Sequence, residues 1–460
     1  MQRLIGYNKP LTRIFILSFE IALLLRMNIL ESLVSSKFDS ALFAIVALFG
    51  ALVVLTNLAE WFTNREIPNV WLVLIILAMV VSTLLVPEAS LISNGKMVIW
   101  QVLYFFAVFY VGKHEDPQLL RWFENILFVY WTISVIGSLF LFFVNYSYTA
   151  SLSKIYYGVR IGMVQNRLYG FFVEPNFAAN LSDITILLMM NRAIKAGNRA
   201  RVGYCVLMAI QFLYVVLSGS RSAMLNLSLV TFIGLFLVFR YQRRFDTVFV
   251  KWLKSLGVAL LGVLLVVGLS EGVKVVMPHL VVPTKIILLD KMGSQTTKKN
   301  SDVSLEREDI TENGDTSNGR LSLWKSALEI GASSPVYGGS PRNFINYARK
   351  ELPHTYISYA GQTPHNLFLL TLVSTGLMGL IPLVGFLIEK FWLLAKNLFK
   401  ARGLDDISFI IFGLIVVDMF VFGCVMPDVI FENRIGAFCF WLFLGVVSFG
   451  PAPEQDRLEM

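Results

Sequence analysis

The chain has 460 residues, of which 56% are apolar, 13% aromatic and only 15% charged. That balance excludes a water-soluble globule, and apolar windows of about 20 residues recur, each long enough to cross a hydrocarbon core of ~30 Å. The formal net charge of +8 would suggest nucleic acid in a soluble protein; in a membrane protein it reports orientation, and no nucleic-acid partner is expected.

In chain order the candidate spans are 11–30, 38–59, 68–86, 96–112, 121–146, 173–192, 202–218, 222–240, 251–270, 364–389, 405–426 and 432–450, twelve in all. The first reads as a retained span rather than a cleavable signal, because it holds Glu20 and Arg26 and lacks a small-residue cleavage site. Residues 202–240 as one helix would run ~58 Å at ~1.5 Å per residue, nearly twice the bilayer core. They are therefore two spans, turning at Ser218–Arg221. Cys205, Cys424 and Cys439 all fall inside spans and read as small buried residues without a disulfide or metal role.

The basic residues orient the bundle. Clusters at 192–201, 240–254 and 390–402, with smaller groups at Arg3 and Lys9, Arg65, and Lys113 with Arg121, all fall on one side if both termini are cytoplasmic. The domain plan is then a membrane bundle over 1–270, an extracytoplasmic segment over 271–363, three last spans over 364–450 and a cytoplasmic tail over 451–460. Within the outer segment, 293–318 is polar and reads as mobile. Leu321, Trp324, Leu328 and Ile330 recur at helical spacing, so 320–332 reads as an amphipathic helix, and 341–352 as a second short one. The 147–172 stretch is expected to be an outer loop. No internal repeat, heptad pattern or separate cytoplasmic domain is visible.

Several signatures are missing: a Walker A loop, G-x-G-x-x-G after a strand, paired CxxC, H-E-x-x-H and an outer D-x-D-type acidic pair. An ATP-driven pump, a zinc protease and a metal-bound nucleotide-sugar donor are correspondingly disfavoured. The outer face offers arginines, one boundary histidine and a few carboxylates. Arg221 sits in Ser-Gly-Ser-Arg-Ser, where small residues, hydroxyls and a helix start surround a guanidinium. Snorkelling is the ordinary reading of such an arginine. Free N–H groups beside a guanidinium also make an anion site suited to phosphate, and that reading is preferred. Arg320 alone would be an ordinary solvated charge at a helix start. Arg167, Glu174 and Asn176 gather where the sixth span begins, with Pro175 opening a helix and Glu174 able to cap it. His365, followed by Asn366, opens the tenth span, and a neutral imidazole there suits proton abstraction from a sugar hydroxyl as well as it suits helix capping. Asp428, Glu432 and Arg434 read as an ion-paired turn.

These residues carry a resemblance. The run R-x-x-G-F-x-x-x-P-N at 167–176, the GSRSA turn at 219–223, GR-x-x-x-W at 319–324 with P-x-x-G-G at 335–339, and HN-x-x-L at 365–369 with GLMGL at 376–380 are similar to the O-antigen ligase / O-antigen polymerase superfamily. The likeness covers about residues 160–450; the first 150 match only in hydropathy. It implies an all-α polytopic membrane protein with a GT-C-like bundle in the bacterial cytoplasmic (inner) membrane, its site on the extracytoplasmic side. It also implies a glycosyltransferase whose donor glycan rides on a polyprenyl (undecaprenyl) diphosphate, with no cofactor and no metal, and leaves room for a chain-length regulator as a further partner. By motif match His365 would be the catalytic base, Arg221, Arg320 and Arg167 the diphosphate-binding cations, and Glu174, Asn176 and Asn366 substrate-binding residues. Arg160, Arg342 or Arg349 could replace any of those arginines, and His354 rivals His365. Polymerase is preferred over ligase on the greater size of that group; a lipid-linked oligosaccharide transporter is the alternative of another class, disfavoured because polar residues gather at the surface and no repeat is seen.

Overall fold

The computed structural model describes residues 8–29, 34–114, 116–152, 155–242, 247–291, 304–305 and 319–450. The tail 451–460, and 293–318 apart from two residues, lie outside them. Each candidate span coincides with a helix: α1 (Lys9–Met27), α2 (Ser36–Asn64), α3 (Val70–Leu85), α4 (Leu91–Lys113), α5 (Pro117–Phe143), α6 (Pro175–Lys195), α7 (Asn198–Leu217), α8 (Arg221–Gln242), α9 (Val248–Lys291), α13 (Leu367–Lys400), α14 (Ile407–Gly423) and α15 (Ile435–Phe449). Between α9 and α13 lie the short helices α10 (Arg320–Ser333), α11 (Phe344–Glu351) and α12 (Tyr356–Ala360). Among the described residues seven helices are both long and apolar enough to cross a membrane, and α3, α14 and α15 are shorter apolar helices. α1 and α6 are more polar, carrying Arg13, Glu20 and Arg26, and Asp183 and Arg192. The protein is an α-helical, multi-pass membrane protein.

Three details depart from the sequence reading. α9 does not stop near 270; its 44 residues span about 66 Å at 1.5 Å per residue, so it carries the chain well past a bilayer core. The stretch read as an outer loop is a three-stranded antiparallel sheet of β1 (Ser147–Leu152), β2 (Ile155–Val164) and β3 (Arg167–Gly170). Its sequence is rich in β-branched and aromatic residues, and Gln165 and Asn166 both take positive φ, 54° and 58°, as a two-residue primed hairpin turn requires. The stripe on α10 is also rotated: Leu323, Ala327 and Ile330 are buried while Leu321 and Leu328 are exposed. A Cβ on Gly331 would lie 2.7 Å from the Leu372 side chain, so Gly331 lets α10 approach α13 closely on this face.

The site end of the bundle is held together by backbone pairing. Ile29 N–H donates to Phe171 O at 2.6 Å and Val173 N–H to Met27 O at 3.1 Å, tying the end of α1 to the segment after the sheet. A second junction lies in α13, which breaks at Gly376 (φ 61°, ψ −158°). At the break Leu377 N–H donates to Pro335 O at 2.8 Å and Met378 N–H to Val336 O at 3.1 Å, rather than to the carbonyls four residues back. Those two carbonyls find other donors: Val373 O accepts from Gly339 N–H at 2.7 Å, and Ser374 O from the Ser82 hydroxyl at 2.9 Å. The loop 335–339 is thus spliced into a broken helix with these four backbone groups paired, which an apolar surrounding demands.

Only glycine permits that approach. A Cβ on Gly338 would lie 2.6 Å from the Thr375 nitrogen, and one on Gly376 would collide with the Val336 carbonyl. Gly376 also occupies a φ,ψ region almost closed to other residues. Gly376→Ala is therefore expected to cost at least about 3 kcal/mol, read as a lowered midpoint for thermal unfolding of the detergent-solubilised protein. Ala at exposed, open Gly203 in α7 serves as the control and leaves the midpoint unchanged or slightly raised, since Ala is the better helix former.

Candidate functional site

The turn between α7 and α8 is ordered residue by residue. The Ser218 hydroxyl donates to Val215 O at 2.7 Å and accepts from Ser220 N–H at 3.2 Å. Buried Ser220 caps α8, its Oγ accepting from Ala223 N–H at 3.3 Å. Arg221 follows as the first helical residue, its side chain exposed. The turn is gripped from behind by Arg167 at the start of β3: Nε donates to Ser218 O at 2.8 Å and Nη2 to Asn176 Oδ1 at 2.8 Å. Asn176 Nδ2 then donates to Glu174 Oε1 at 2.7 Å, and the same carboxylate oxygen caps α6. Four of the seven site residues expected from sequence therefore form one unit. Within it Arg167 is only 6% exposed, and these two bonds are spent on the fold rather than on a cavity.

The other three form a second unit. Arg320 opens α10 and approaches Met426, with Nη2 3.6 Å from Sδ. His365 lies just ahead of α13 with a positive φ of 50°, a conformation uncommon outside glycine. Its Nδ1 is buried with no hydrogen-bond partner among the described residues. Burial, and then the positive charges of Arg320 and Arg434, press the imidazole pKa down to about 4, so the ring is neutral at pH 7. Asn366 is engaged at both ends of its amide: Oδ1 accepts from Phe368 and Leu369 N–H at 3.0 Å, and Nδ2 donates to Cys424 O at 2.8 Å. It caps α13 and moors it to the end of α14.

Arg434 joins the two units, and the sequence reading assigned it only to an ion-paired turn. It does pair with Glu432, but loosely, at 3.5 Å. Its guanidinium lies 3.9 Å from the centre of the Phe177 ring, on the first turn of α6, while its charge also acts on His365. Among the described residues Asp428 does not share in the pairing and its Oδ1 has no hydrogen-bond partner; it is buried, and burial pushes its carboxyl well up. Of the alternatives weighed from sequence, His354 is 70% exposed beside Glu329. Arg349 Nε donates to Ser358 O, and Arg160 donates to the Tyr169 hydroxyl. Arg342 enters a cavity of 450 Å³ that is also bordered by Glu174 and Arg434.

Beneath the site, α6, α8 and α14 are cross-linked by buried amides. Asn180 Nδ2 donates to Asp418 Oδ2 at 3.0 Å, and Asn226 Nδ2 to Asn180 Oδ1 at 3.1 Å and to Asp418 O at 3.0 Å. The helices that begin at Pro175 and Arg221, and the one that leads into the 424–434 turn, thus share a fixed register.

Comparison with known proteins bears on what this arrangement does. Residues 205–384 match the family described as O-antigen ligase. Over 138 residues the chain is 30% identical to "Exopolysaccharide production protein ExoQ" of Rhizobium meliloti (strain 1021), a match covering 29% of this chain and 31% of that relative. The family match takes in the Arg221 turn, Arg320, the spliced loop and His365, whose motifs carry the resemblance, but not the run at 167–176, which lies ahead of it. Over residues 205–384 the chain is thus similar to the O-antigen ligase family, and the short helices α10, α11 and α12 ahead of α13 fall inside the matched segment.

Proposed function

We propose that the protein is a polysaccharide polymerase: a glycosyltransferase that joins oligosaccharide units carried on polyprenyl diphosphate at the outer face of the bacterial cytoplasmic membrane. One observation carries the reading. A neutral imidazole with an unpartnered, buried Nδ1 stands under the charge of two guanidiniums, at the mouth of a membrane helix. That combination suits removal of a proton from a neutral hydroxyl beside an anionic leaving group. ExoQ, whose name links it to exopolysaccharide production, is compatible with chain building.

The chemistry follows from the parts. His365 takes the proton of the acceptor hydroxyl as its oxygen attacks the anomeric carbon of the donor. The bond from that carbon to the diphosphate oxygen breaks on the opposite face, its electron pair leaving with the diphosphate, so configuration inverts. Arg221 at a helix start and Arg320 offset the charge that develops on the leaving group. Guanidiniums suit this task because they are planar, always protonated and able to bind two phosphate oxygens at once. Arrival of the diphosphate also offsets the charge of Arg320 and Arg434, which raises the basicity of His365 when a base is needed. Arg167 and Asn366 act as positioning residues, the first through the Ser218 carbonyl and the second through the start of α13.

Purified protein given lipid-linked repeat units, without nucleotide sugar, is expected to make a ladder of longer products. His365→Ala should slow this by about 10²–10⁴-fold, the usual worth of a general base, and Arg221→Ala should abolish the ladder as well. Transfer to an added lipid or protein acceptor in place of a ladder would instead identify a ligase. Lipid flipping across vesicles with neither activity would make the protein a transporter.

The pH profile tests the base. His365 works in its neutral form, so kcat/KM should hold as pH falls through the ordinary histidine range near 6.5 and drop only on approach to about 4. Arg320→Gln removes one of the depressing charges and should move that acid limb upward. A wild-type limb near the ordinary value would show that another group is the base.

Arg167→Gln, which loses the charged bond to Ser218 O, should raise KM for the lipid-linked donor roughly tenfold with a smaller change in kcat, on the scale of one hydrogen bond to a charged group. Equal losses in both constants would place Arg167 in the transition state rather than behind the turn.

A further inference from the structure

The 450 Å³ cavity lies between the end of α1, the first half of α4, the start of α6 and the turn before α15. Its size is within the range of about 300–1,000 Å³ usual for small-ligand sites. Four cations line it, Arg26, Lys96, Arg342 and Arg434, against two carboxylates, Glu174 and Glu432. The cations are not equally available. Arg26 makes a two-bond pair with Asp39, at 2.9 and 2.8 Å, and Arg434 leans on Glu432. The side chains of Lys96 and Arg342 make no hydrogen bond or ion pair among the described residues, and both are exposed to the cavity mouth.

Arg342 is nevertheless held. Its backbone N–H donates to Oδ1 of Asn94 at 2.8 Å, and Asn94 is fully buried on α4, two residues before Lys96. Asn94 Nδ2 donates in turn to Asn343 Oδ1 at 2.9 Å. One buried asparagine therefore fixes the backbones that present both cations. The cavity wall also holds Trp100, whose ring stacks on Phe19 at 5.3 Å and is braced edge-on by Phe43. An aromatic face suits the apolar face of a sugar ring, carboxylates accept from its hydroxyls, and two uncompensated cations call for an anionic substituent.

We propose that this cavity receives an acidic sugar of the acceptor glycan, its carboxylate held by Lys96 and Arg342 and its ring against Trp100. The assignment rests on the glycosyl-transfer reading above and adds to it the acceptor's place and charge. Glu174 and Arg434 border the cavity and belong to the two units that carry Arg221 and His365, so an acceptor seated there lies next to the reacting centre. The cations arrive singly from separate elements rather than clustered at one helix start, which fits a sugar carboxylate better than a second diphosphate.

The test uses the full-length protein in nanodiscs, with binding followed by saturation-transfer NMR. The probes are trigalacturonate, the neutral trisaccharide maltotriose and undecaprenyl diphosphate. Trigalacturonate should bind roughly tenfold more tightly than maltotriose, on the scale of one charge-assisted contact. Lys96→Gln with Arg342→Gln, both exposed changes, should erase that preference, while Arg221→Gln leaves it intact. Absent trigalacturonate binding, equal binding of the two trisaccharides, or a preference untouched by the double variant would overturn the assignment. Displacement of trigalacturonate by undecaprenyl diphosphate, with loss of diphosphate binding in the double variant, would overturn it in favour of a second diphosphate site. If undecaprenyl diphosphate binding is indifferent to Arg221→Gln, the parent reading loses its donor site, while the trisaccharide results still decide the cavity.

Discussion

The splice between loop 335–339 and the break in α13 is the constraint on which the site depends. A helix interrupted within an apolar bundle leaves N–H and C=O groups that cannot turn to water, at several kcal/mol apiece. Here the exposed groups of one segment are the partners of the other, and Ser82 of α3 takes the remaining carbonyl. The loop is therefore fixed to a membrane helix as firmly as one strand to another. α10 and α11 flank that loop, so Arg320 is placed relative to His365 by backbone geometry rather than by side-chain packing alone.

Around that anchor the site is assembled from two arginine-bearing units that share little sequence proximity. The first builds a helix start for Arg221, with Arg167 spending its charge on the Ser218 carbonyl. The second sets His365 in a left-handed conformation with a free ring nitrogen. Arg434 spans them, stacked on Phe177 of one unit and acting on the imidazole of the other. The electrostatic result is a centre with several cations and an imidazole kept unprotonated first by burial and then by the charges of Arg320 and Arg434. Such a centre is under-neutralised until an anion arrives, which is the condition a diphosphate donor would meet.

Much of this was legible in the sequence. Apolar length placed twelve helices, and the excess of a ~58 Å apolar run over one bilayer core located the 218–221 turn. The same reasoning that singled out Arg221, a cation on the side where cations are scarce, applies equally to Arg434. Its short turn with Asp428 and Glu432 suggested internal pairing instead, and nothing local reveals that Phe177 and His365 lie beside it. The sheet was signalled by its β-branched and aromatic content and by Gln165-Asn166, but a membrane chain invites reading every outer stretch as loop. Sequence reads Arg167 and Asn366 as ligand-binding residues; what it could not reveal is that each also makes hydrogen bonds within the fold, to the Ser218 carbonyl and Asn176, and to the start of α13 and the Cys424 carbonyl.

The depth at which the parts are joined explains how a site on short helices and turns keeps its geometry. The Asn180–Asn226–Asp418 amides lie well inside the bundle, where a misregistered helix would strand buried polar groups. They fix α6, α8 and α14 relative to one another, and each of these helices delivers one part of the site at its end. The cations that face the cavity mouth, Lys96 and Arg342, are by contrast exposed and held only through their backbones. Rigidity is thus concentrated beneath the helix ends that carry Glu174, Arg221 and the 424–434 turn, while the cavity mouth keeps long, solvated side chains.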